Sequence, residues 1–451
     1  MTVSLAPAAD TIVARATPPG KGGVAVVRVS GERARAIAVA ICGGIPEPRQ
    51  ATFTHFRDRD GHAIDSGLAI FFPGPGSFTG EDVVELQGHG GAVVCEMLVE
   101  RVIELGARLA QPGEFARRAF LNDKLDLSQA EAIADLIDSG SRAAARAAQR
   151  SLDGAFSKAV FELNAKLTEL RVFVEAAIDF PDEDIDFLDD AELAARVDEV
   201  STQFDHLQKT VRNGRLLRDG IHLVLAGRPN AGKSSLLNAL TGYDAAIVTD
   251  VPGTTRDLVR EHIDIDGLPV HIVDTAGLRS GEGAIEREGI RRAKEQLNIA
   301  DHALVILDAS AEEAAESVIA EVPSGVSFSI VRNKIDLSGE HPGMVDGATE
   351  SINVSALTGA GIDELRAHIK QQVGFESPGE DTITARQRHV ESLRVAHDHF
   401  RQARTQLLDY RAGELMADDL LQAQNALAEI TGEFTSDDLL GEIFAGFCIG
   451  K

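Results

Sequence analysis

Short apolar runs separated by glycine- and proline-rich turns fill the first part of the chain, up to about residue 120. Three of these runs, 23–29, 67–72 and 82–86, have the length and the valine, isoleucine and phenylalanine content of strands. Turns punctuate them, as at Pro18-Pro19-Gly20 before the first run and Pro73-Gly74-Pro75-Gly76 after the second. The pattern predicts a mixed α/β segment.

From about residue 125 the apolar positions recur at helical spacing in an alanine-rich stretch that extends, with breaks, to about residue 218. The tetrapeptide Ser128-Gln129-Ala130-Glu131 fits a capping box and predicts the start of a helix. Helical spacing returns beyond a turn-rich linker at 376–380. Two helical stretches therefore flank the region between residues 219 and 375.

That central region contains the phosphate-binding pattern G-x-x-x-x-G-K-S, from Gly227 to Ser234, between an apolar run at 222–226 and a helical pattern. Its glycines let backbone N–H groups turn toward phosphate oxygens, and the start of the following helix adds a positive dipole. Lys233 is predicted to reach the β- and γ-phosphates, and the Ser234 hydroxyl to bind Mg²⁺. The alternative is a glycine-rich surface turn.

Two further motifs follow in the order that a GTPase requires. Asp274-Thr275-Ala276-Gly277 comes after an apolar run, so its carboxylate can hold Mg²⁺ through water and its glycine N–H can contact the γ-phosphate. Asn333-Lys334-Ile335-Asp336 closes another apolar run, and the Asp336 carboxylate can accept hydrogen bonds from guanine N1–H and the exocyclic amine. Adenine lacks this donor pair, so the motif favours GTP over ATP. Ser355-Ala356-Leu357 fits the backbone contact to guanine O6.

The segment before Asp274 is predicted to complete the nucleotide site. Thr255 is expected to bind Mg²⁺, with a solvated turn as the alternative. The complete set of predicted nucleotide-contacting residues is Asn230, Ala231, Gly232, Lys233, Ser234, Ser235, Thr249, Asp250, Val251, Pro252, Gly253, Thr254, Thr255, Asp274, Thr275, Ala276, Gly277, Asn333, Lys334, Asp336, Ser355, Ala356 and Leu357.

Leu278 stands where small signalling GTPases have a glutamine that orients water, so hydrolysis requires another base and another positive charge. Asn230 and the oxygen-rich segment 249–254 could together hold a monovalent cation beside the phosphates. Glu286 could orient the water, although an acidic residue also suits the start of a helix there. Arg256 and Arg279 are alternative sources of the positive charge.

Composition narrows the class of protein. The formal net charge is −27, from 71 acidic and 44 basic residues, which opposes a broad electrostatic contact with nucleic acid. Arginine clusters at 142–150 and 212–218 are interpreted as solvated helix faces. The three cysteines form neither a disulfide framework nor a zinc pattern, and neither a signal peptide nor a membrane-spanning run is recognised. A cytoplasmic protein is expected.

The predicted fold class is multidomain α/β plus all-α, with a Ras-like P-loop GTPase domain inserted into a split helical domain. The predicted domains are an N-terminal segment 1–120, a first helical part 121–218, the GTPase segment 219–375 and a second helical part 376–451.

Both ends of the chain carry further candidates. Arg28 and Glu85 lie in or beside apolar strand-like runs, where they form either a structural ion pair or part of a polar ligand pocket. Cys448 is expected on a short flexible tail, as a thiol that is delivered to a site elsewhere or as an inert residue. A prenylation box is the other alternative, which Gly450 and Lys451 do not fit.

The chain closely resembles the tRNA modification GTPase family MnmE (TrmE). The resemblance runs from Asp10 to Lys451 and rests on the GTPase motifs together with three other segments: 10–20, Glu85-Leu86-Gln87-Gly88-His89-Gly90-Gly91, and Phe447-Cys448-Ile449-Gly450-Lys451. It implies a folate-binding, dimerising first domain and a potassium-activated GTPase. It also implies a flavin- and NADH-dependent partner subunit in a heterotetramer. With that partner, an aminomethyl or carboxymethylaminomethyl group would be attached to C5 of the tRNA wobble uridine, using a 5-formyl- or methylene-tetrahydrofolate carbon unit.

The resemblance also assigns roles to residues. Folate contacts fall on Arg28, Glu85, Lys124 and Lys451. Mg²⁺ ligands fall on Ser234 and Thr255, and K⁺ ligands on Asn230, Thr249, Val251 and Thr254. Glu286 becomes the acid that orients water, and Cys448 the candidate catalytic thiol. Pro252 stands in the potassium loop where the family commonly has a small residue, so the ordering of this loop is expected to differ.

Two other classes of protein share the nucleotide motifs. A GTP-switched assembly factor would need neither the folate pocket nor the Cys448 tail. A membrane-remodelling GTPase would need a membrane-inserting segment, which the sequence lacks.

Overall fold

A computed structural model describes residues 10–179, 191–241, 260–274, 300–311, 315–320, 322, 325–345, 351–377, 379, 381–410, 412–433 and 437–450. The chain forms two compact units. The first consists of Met1–Ala134, Ser151–Arg196 and Val395–Lys451, and the second of Asp135–Arg150 and Val197–Arg394.

The first unit contains a six-stranded sheet with the strand order β3-β4-β5-β2-β1-β6. Its strands are β1 (Ile12–Arg15), β2 (Gly22–Ser30), β3 (Thr52–Arg57), β4 (Ala63–Phe72), β5 (Val83–Gly90) and β6 (Arg108–Leu109). The predicted strands 23–29 and 67–72 are confirmed as parts of β2 and β4, and the prediction 82–86 overlaps β5, which begins one residue later.

Side chains alternate across this sheet, which determines where its core and its polar positions lie. Val27 and Val29 of β2 are buried with the helices α1 (Ala34–Cys42) and α2 (Ala92–Glu104). Arg28 lies between them in sequence and pairs across the antiparallel strands with Glu85 of β5. Both charged residues therefore project from the sheet face opposite the apolar core.

Helices complete the first unit. The helices α3 (Glu114–Leu121) and α14 (Asp437–Ala445) contribute to a small apolar cluster with Leu127 and Phe447. The long helix α6 (Ala155–Asp179) packs beside α13 (Gly413–Thr431), where Arg171 donates to Gln424 Oε1 at 2.6 Å.

The helix α4 (Leu127–Asp138) begins earlier than the capping-box pattern predicts. The box is formed by Asp126 and Gln129, not by Ser128 and Glu131: Gln129 N donates to Asp126 Oδ1 at 2.9 Å, and Asp126 N donates to Gln129 Oε1 at 3.0 Å. The amide of Gln129 also donates from Nε2 to the carbonyl of Leu152 at 3.0 Å, at the end of α5 (Arg142–Leu152).

The second unit contains a seven-stranded sheet with the order β12-β13-β11-β10-β7-β9-β8. The edge pairs β12–β13 and β8–β9 are antiparallel, whereas the other neighbours are parallel. The strands are β7 (Ile221–Gly227), β8 (Arg260–Ile265), β9 (Leu268–Asp274), β10 (His302–Asp308), β11 (Ser327–Asn333), β12 (Gly343–Val345) and β13 (Ser351–Asn353).

The central parallel strands are buried on both faces, so they consist of nearly continuous apolar runs. The remaining helices are α7 (Ala191–Asp219), α8 (Lys233–Thr241), α9 (Ala315–Ile319), α10 (Ile335–Ser338), α11 (Ile362–Val373) and α12 (Gln387–Thr405), the last followed by a π-helical turn at Gln406–Tyr410. The predicted mixture of an α/β N-terminal segment, helices and a P-loop α/β segment is confirmed. Among the described residues, no helix is both long and apolar enough to cross a membrane.

Candidate functional site

The predicted phosphate loop lies between the end of β7 and the start of α8, and its backbone is left-handed at two positions. Asn230 has φ +68° and Gly232 has φ +91°. Gly227 is also required, because a Cβ there would lie 2.6 Å from the carbonyl oxygen of Ile306. The buried Lys233 folds along the loop and donates from Nζ to the carbonyls of Gly227 and Arg228, at 2.9 and 3.0 Å.

Asn333 connects this loop to the predicted base-recognition segments. Its Nδ2 donates to the carbonyl of Ala231 at 3.0 Å, and its Oδ1 accepts from the N–H of Ala356 at 3.0 Å. Asn333 is almost fully buried. One amide side chain thus fixes the phosphate loop against the loop that is predicted to contact guanine O6.

Asp336 is oriented by Ser355, which lies in the same loop after β13 as Ala356. The buried Ser355 donates from Oγ to Asp336 Oδ1 at 2.5 Å, whereas Asp336 itself is exposed. One carboxylate oxygen is therefore held in place by protein, and the group faces outward. This is the arrangement that a carboxylate needs to accept hydrogen bonds from a base.

Lys334 has a left-handed backbone, with φ +69°, and its Nζ lies 2.6 Å from Asp308 Oδ2 at the end of β10. The hydrogen bond from Lys334 is the main cause that lowers the pKa of Asp308 below its usual range, with a further contribution from Ser310. The partly exposed pair orients the lysine stem beside the base-recognition segment. Sequence reasoning missed Asp308, although its position at the end of an apolar run was an available signal.

The carboxyl ends of neighbouring parallel strands meet at the same edge of the second sheet, which is where open α/β sheets bind ligands. Gly227 ends β7, Asn333 ends β11, and Asp274 ends β9 in register with Leu225 of β7. Three motifs that are far apart in sequence are therefore at one sheet edge. For Asp274 this statement concerns the backbone alone.

Several predicted residues lie outside the described residues: Thr249, Asp250, Val251, Pro252, Gly253, Thr254, Thr255, Thr275, Ala276, Gly277, Glu286 and Lys451. Their predicted roles in binding K⁺, Mg²⁺, water or folate stay predictions.

In the first unit, Arg28 and Glu85 form the ion pair that the sequence left open. Arg28 Nη2 and Nε lie 2.9 and 3.0 Å from Glu85 Oε1. The guanidinium carbon lies 5.9 Å from the ring centre of Phe78 and 5.8 Å from that of Phe115. Gln87, two residues along β5 on the same face, donates to Glu85 Oε2 at 3.2 Å. Both side chains remain partly exposed, so the pair lines a polar, aromatic-walled surface and is not sealed in the core.

The end of the chain is docked onto this pair, in contrast to the flexible tail that the sequence suggested. Arg28 Nη1 donates to the carbonyl of Gly450 at 3.4 Å. Ile449 forms an antiparallel bridge with Pro112, and Gly113 N donates to the carbonyl of Cys448 at 3.3 Å. Phe447 is buried, whereas Cys448 is exposed.

Glycine is required where this tail meets the first strand. Gly450 has φ +98°, and a Cβ there would lie 2.6 Å from the carbonyl oxygen of Arg15. The close approach fixes the tail beside the ion pair, which places the Cys448 backbone in the same region as Arg28 and Glu85.

Lys124, the other predicted folate contact, is exposed just after α3. No hydrogen bond or ion pair among the described residues joins its side chain to Arg28 or Glu85. Phe78, Phe115 and Gln87 were not predicted. Only Gln87 had a local signal, since it lies two residues from Glu85 on the same strand face.

Comparison with protein families matches almost the whole chain. The family described as "GTP-binding protein TrmE N-terminus" matches residues 11–124, and the family described as "MnmE helical domain" matches residues 127–448.

Solved structures that are similar to this chain include G domains. The G domain of the T. maritima FeoB iron transporter is 25% identical, with a TM-score of 0.27, over 34% of this chain and 98% of that one. The FeoB G-domain from Methanococcus jannaschii is 26% identical, with a TM-score of 0.26, over 34% of this chain and 98% of that one. Aquifex aeolicus Era Y63A bound to GDP·AlF4⁻ is 26% identical, with a TM-score of 0.26, over 40% of this chain and 66% of that one.

Proposed function

The chain belongs to the MnmE (TrmE) family of tRNA-modifying GTPases, and from this premise we propose a finer chemistry for it. It hydrolyses GTP with help from a bound K⁺. Together with a flavin- and NADH-dependent partner subunit, it installs an aminomethyl or carboxymethylaminomethyl group at C5 of the tRNA wobble uridine. The one-carbon unit comes from a tetrahydrofolate derivative.

The juxtaposition of Asn333 with the phosphate loop supports the GTP step. Asn333 joins Ala231 to Ala356, and Ser355 orients Asp336, so phosphate and base contacts are held in one fixed arrangement. In this proposal Lys233 contacts the β- and γ-phosphates. Ser234, exposed at the start of α8, fits a hydroxyl ligand for Mg²⁺, together with Thr255. When bound, Mg²⁺ would neutralise charge on the phosphates.

Potassium is assigned to the phosphate loop because the chain has Leu278 where small signalling GTPases have the glutamine that orients water. Asn230, which has a left-handed backbone within the loop, would bind K⁺ with Thr249, Val251 and Thr254. Glu286 would orient the attacking water. GTP hydrolysis should be faster in KCl than in NaCl at equal ionic strength, and Glu286→Ala should slow turnover without loss of GTP binding. Equal rates in the two salts would remove the K⁺ assignment.

The Arg28–Glu85 pair supports a folate site. A guanidinium and a carboxylate can together pair with the donors and acceptors of a pterin ring, and Phe78 and Phe115 offer aromatic surface beside them. Lys124 and Lys451 are proposed to contact the same ligand. The docked tail brings Cys448 near this site as the candidate catalytic thiol.

Equilibrium dialysis of the full chain against 5-formyltetrahydrofolate tests this assignment. Binding at about one ligand per chain is expected. Absence of binding would favour a GTP-switched assembly factor, which needs no folate.

The observation that carries the whole proposal is the docking of the C-terminal tail on the Arg28–Glu85 pair, because a GTP-switched assembly factor has no need for it. We further propose a homodimer that assembles with the partner subunit into a heterotetramer in the cytoplasm. The four domains are proposed with the boundaries 1–120, 121–218, 219–375 and 376–451.

Mass spectrometry of tRNA nucleosides from cells that lack this chain tests the reaction. The C5-modified wobble uridine should disappear and return when the wild-type chain is supplied. Cys448→Ser should leave GTP hydrolysis unchanged while the modification is lost. Survival of the modification would show that the thiol is not essential.

A further inference from the structure

A buried carboxylate on α4 holds two arginines from distant parts of the second unit. Asp135 Oδ1 accepts from Arg218 Nε at 2.7 Å and from Arg386 Nη2 at 2.7 Å. The side chain of Asp135 is only 4% exposed. A buried charge is retained at such a position only when it is paired and hydrogen-bonded, and this one is paired twice.

The two arginines lie at the two connections between the GTPase segment and the helices. Arg218 is in the last turn of α7, directly before β7, which leads into the phosphate loop. Arg386 directly precedes α12, where the chain leaves the GTPase segment. Asp135 therefore ties both connections to α4.

The same two connections are packed against each other along α7. A Cβ at Gly214 would lie 2.5 Å from the carbonyl oxygen of Ile383, so only glycine permits this approach. Arg150 donates to the carbonyl of Thr382 at 2.6 Å, and Arg215 donates to Gln387 Oε1 at 3.2 Å. The arrangement forms a close-packed stem, which consists of residues 214–219 and 382–387.

The stem is in direct contact with β9, the strand that ends at Asp274 of the predicted γ-phosphate motif. His271 of β9 donates from Nε2 to the carbonyl of Asp219 at 2.9 Å. Gly220, with φ +68°, approaches β9 so closely that a Cβ would lie 2.6 Å from the carbonyl oxygen of Pro269. Asp219 thus contacts β9 through its carbonyl and Arg218 through its carboxylate.

Arg218 bridges two carboxylates within this site. Its Nη1 donates to Asp219 while its Nε donates to Asp135. A cavity of about 110 Å³ lies beside these groups, and the residues that line it are Asp135, Asp138, Ser139, Ala144, Arg218, Asp219 and Thr384. Burial lowers the pKa of Arg218, but the carboxylates of Asp135 and Asp219 raise it above its usual value, so the guanidinium stays charged between them.

We propose that Asp135 is a positioning residue that couples the nucleotide-dependent movement of β9 to α4, through the pairing of Arg218 and Arg386. The stem transmits the movement because both connections are anchored to one carboxylate. The proposal rests on GTP binding at the phosphate loop and is independent of the one-carbon chemistry.

Hydrogen–deuterium exchange of the full chain tests the coupling, with GDP compared with a non-hydrolysable GTP analogue in the presence of Mg²⁺ and K⁺. In the wild type, peptides that cover 127–138 should exchange at different rates in the two nucleotide states. Asp135→Asn, which keeps the shape and removes the charge, should abolish most of this difference while the phosphate-loop peptides keep theirs. Nucleotide affinity should change by less than about threefold.

Asp138→Asn is the matched control. Asp138 lies on the same helix and lines the same cavity, but it is exposed, and no ion pair involves it among the described residues. This variant should retain the wild-type difference. If Asp135 had only a structural role, Asp135→Asn would instead increase exchange throughout the second unit in both nucleotide states.

Arg386→Lys provides a second variant if Asp135→Asn does not fold, because lysine keeps the charge and loses the geometry of the guanidinium. It should reduce the nucleotide-dependent difference in α4 to an intermediate value. The proposal is overturned if wild-type α4 shows no nucleotide-dependent difference, or if the difference persists in both variants. The exchange experiment does not measure tRNA modification. Its result can therefore be interpreted even if the proposed tRNA chemistry is wrong.

Discussion

The amide of Asn333 occupies the space that a side chain at Gly232 would need. A Cβ built on Gly232 would lie 2.3 Å from Asn333 Nδ2, well inside van der Waals contact. The phosphate loop and the base-recognition segment are therefore in direct contact, and a change on one side must displace the other.

Gly232→Ala should weaken GTP binding by about a hundredfold or more, because the new methyl group displaces Asn333 and the left-handed backbone is strained. Titration with a fluorescent GTP analogue measures the effect. Gly339→Ala is the control, since Gly339 has φ +76° and a Cβ there would meet nothing within 4 Å, so the substitution introduces strain alone. Equal losses in the two variants would mean that the contact with Asn333 has no role.

Asp336→Asn should change base specificity. The carboxylate accepts two hydrogen bonds from guanine, whereas an amide can donate to the 2-oxo group of xanthine. GTP affinity should fall by about a hundredfold while XTP affinity rises, as measured by competition against labelled nucleotide. Ser355→Ala removes the hydroxyl that orients Asp336, so it should weaken binding of GTP without a gain for XTP. An unchanged GTP-to-XTP ratio in Asp336→Asn would contradict the assigned role.

Arg28→Gln should reduce the affinity for 5-formyltetrahydrofolate by about tenfold or more, because the charged donor is lost and Glu85 is left without its charged partner. Equilibrium dialysis measures the change. Arg35→Gln is the control, since Arg35 forms a more exposed ion pair with Asp82 at 3.6 Å in the same unit. If both variants bind the folate as the wild type does, Arg28 does not belong to a folate site.

The stability of the second unit should fall as the pH decreases from about 6.5 to about 4. His302 is completely buried, and burial together with the nearby His368 lowers its pKa from 6.5 to about 4. Between these pH values the unfolded chain binds a proton that the folded chain excludes, so acidification favours unfolding by up to about 3 kcal/mol.

His302→Gln should flatten this dependence, because glutamine does not titrate and can still bond to Ser327 and Ser329. The dependence is measured as the midpoint of urea unfolding at pH 4.5, 5.5 and 7, which lie between the two pKa values or just above them. Hydrogen exchange of β10 peptides reports the unfolding. His341→Gln, an exposed histidine of the same unit, should keep the wild-type slope. A wild-type slope in His302→Gln would assign the pH dependence to other groups.

Much of the fold could be predicted from apolar runs, because buried parallel strands such as β7 and β10 must be apolar at almost every position. Helix ends were harder. Asp126-x-x-Gln129 and Ser128-x-x-Glu131 overlap, and both satisfy the capping pattern. In the structure the Asp126–Gln129 box forms, and Gln129 also donates to the carbonyl of Leu152. Leu152 is too far away in sequence for a local pattern to include it.

The site was predictable as a set of motifs but not as a set of contacts. The sequence offered Arg28 and Glu85 as an ion pair or as part of a ligand pocket, and only the β2–β5 register shows that the two residues lie opposite each other. The docked tail was missed because Pro112 and Gly113, its partners, carry no sequence signal that refers to it. Asp135 had no signal either, since its two arginines become its neighbours only through tertiary structure.

Gln129 uses both ends of its amide, one at the beginning of α4 and the other at the end of α5. The two helix termini therefore depend on a single side chain, and fraying of either one removes a bond from the other. Neither glutamate nor lysine can replace it, because glutamate offers only acceptors and lysine only donors. The tolerance of this position to substitution is consequently narrower than its partly exposed location on the surface would suggest.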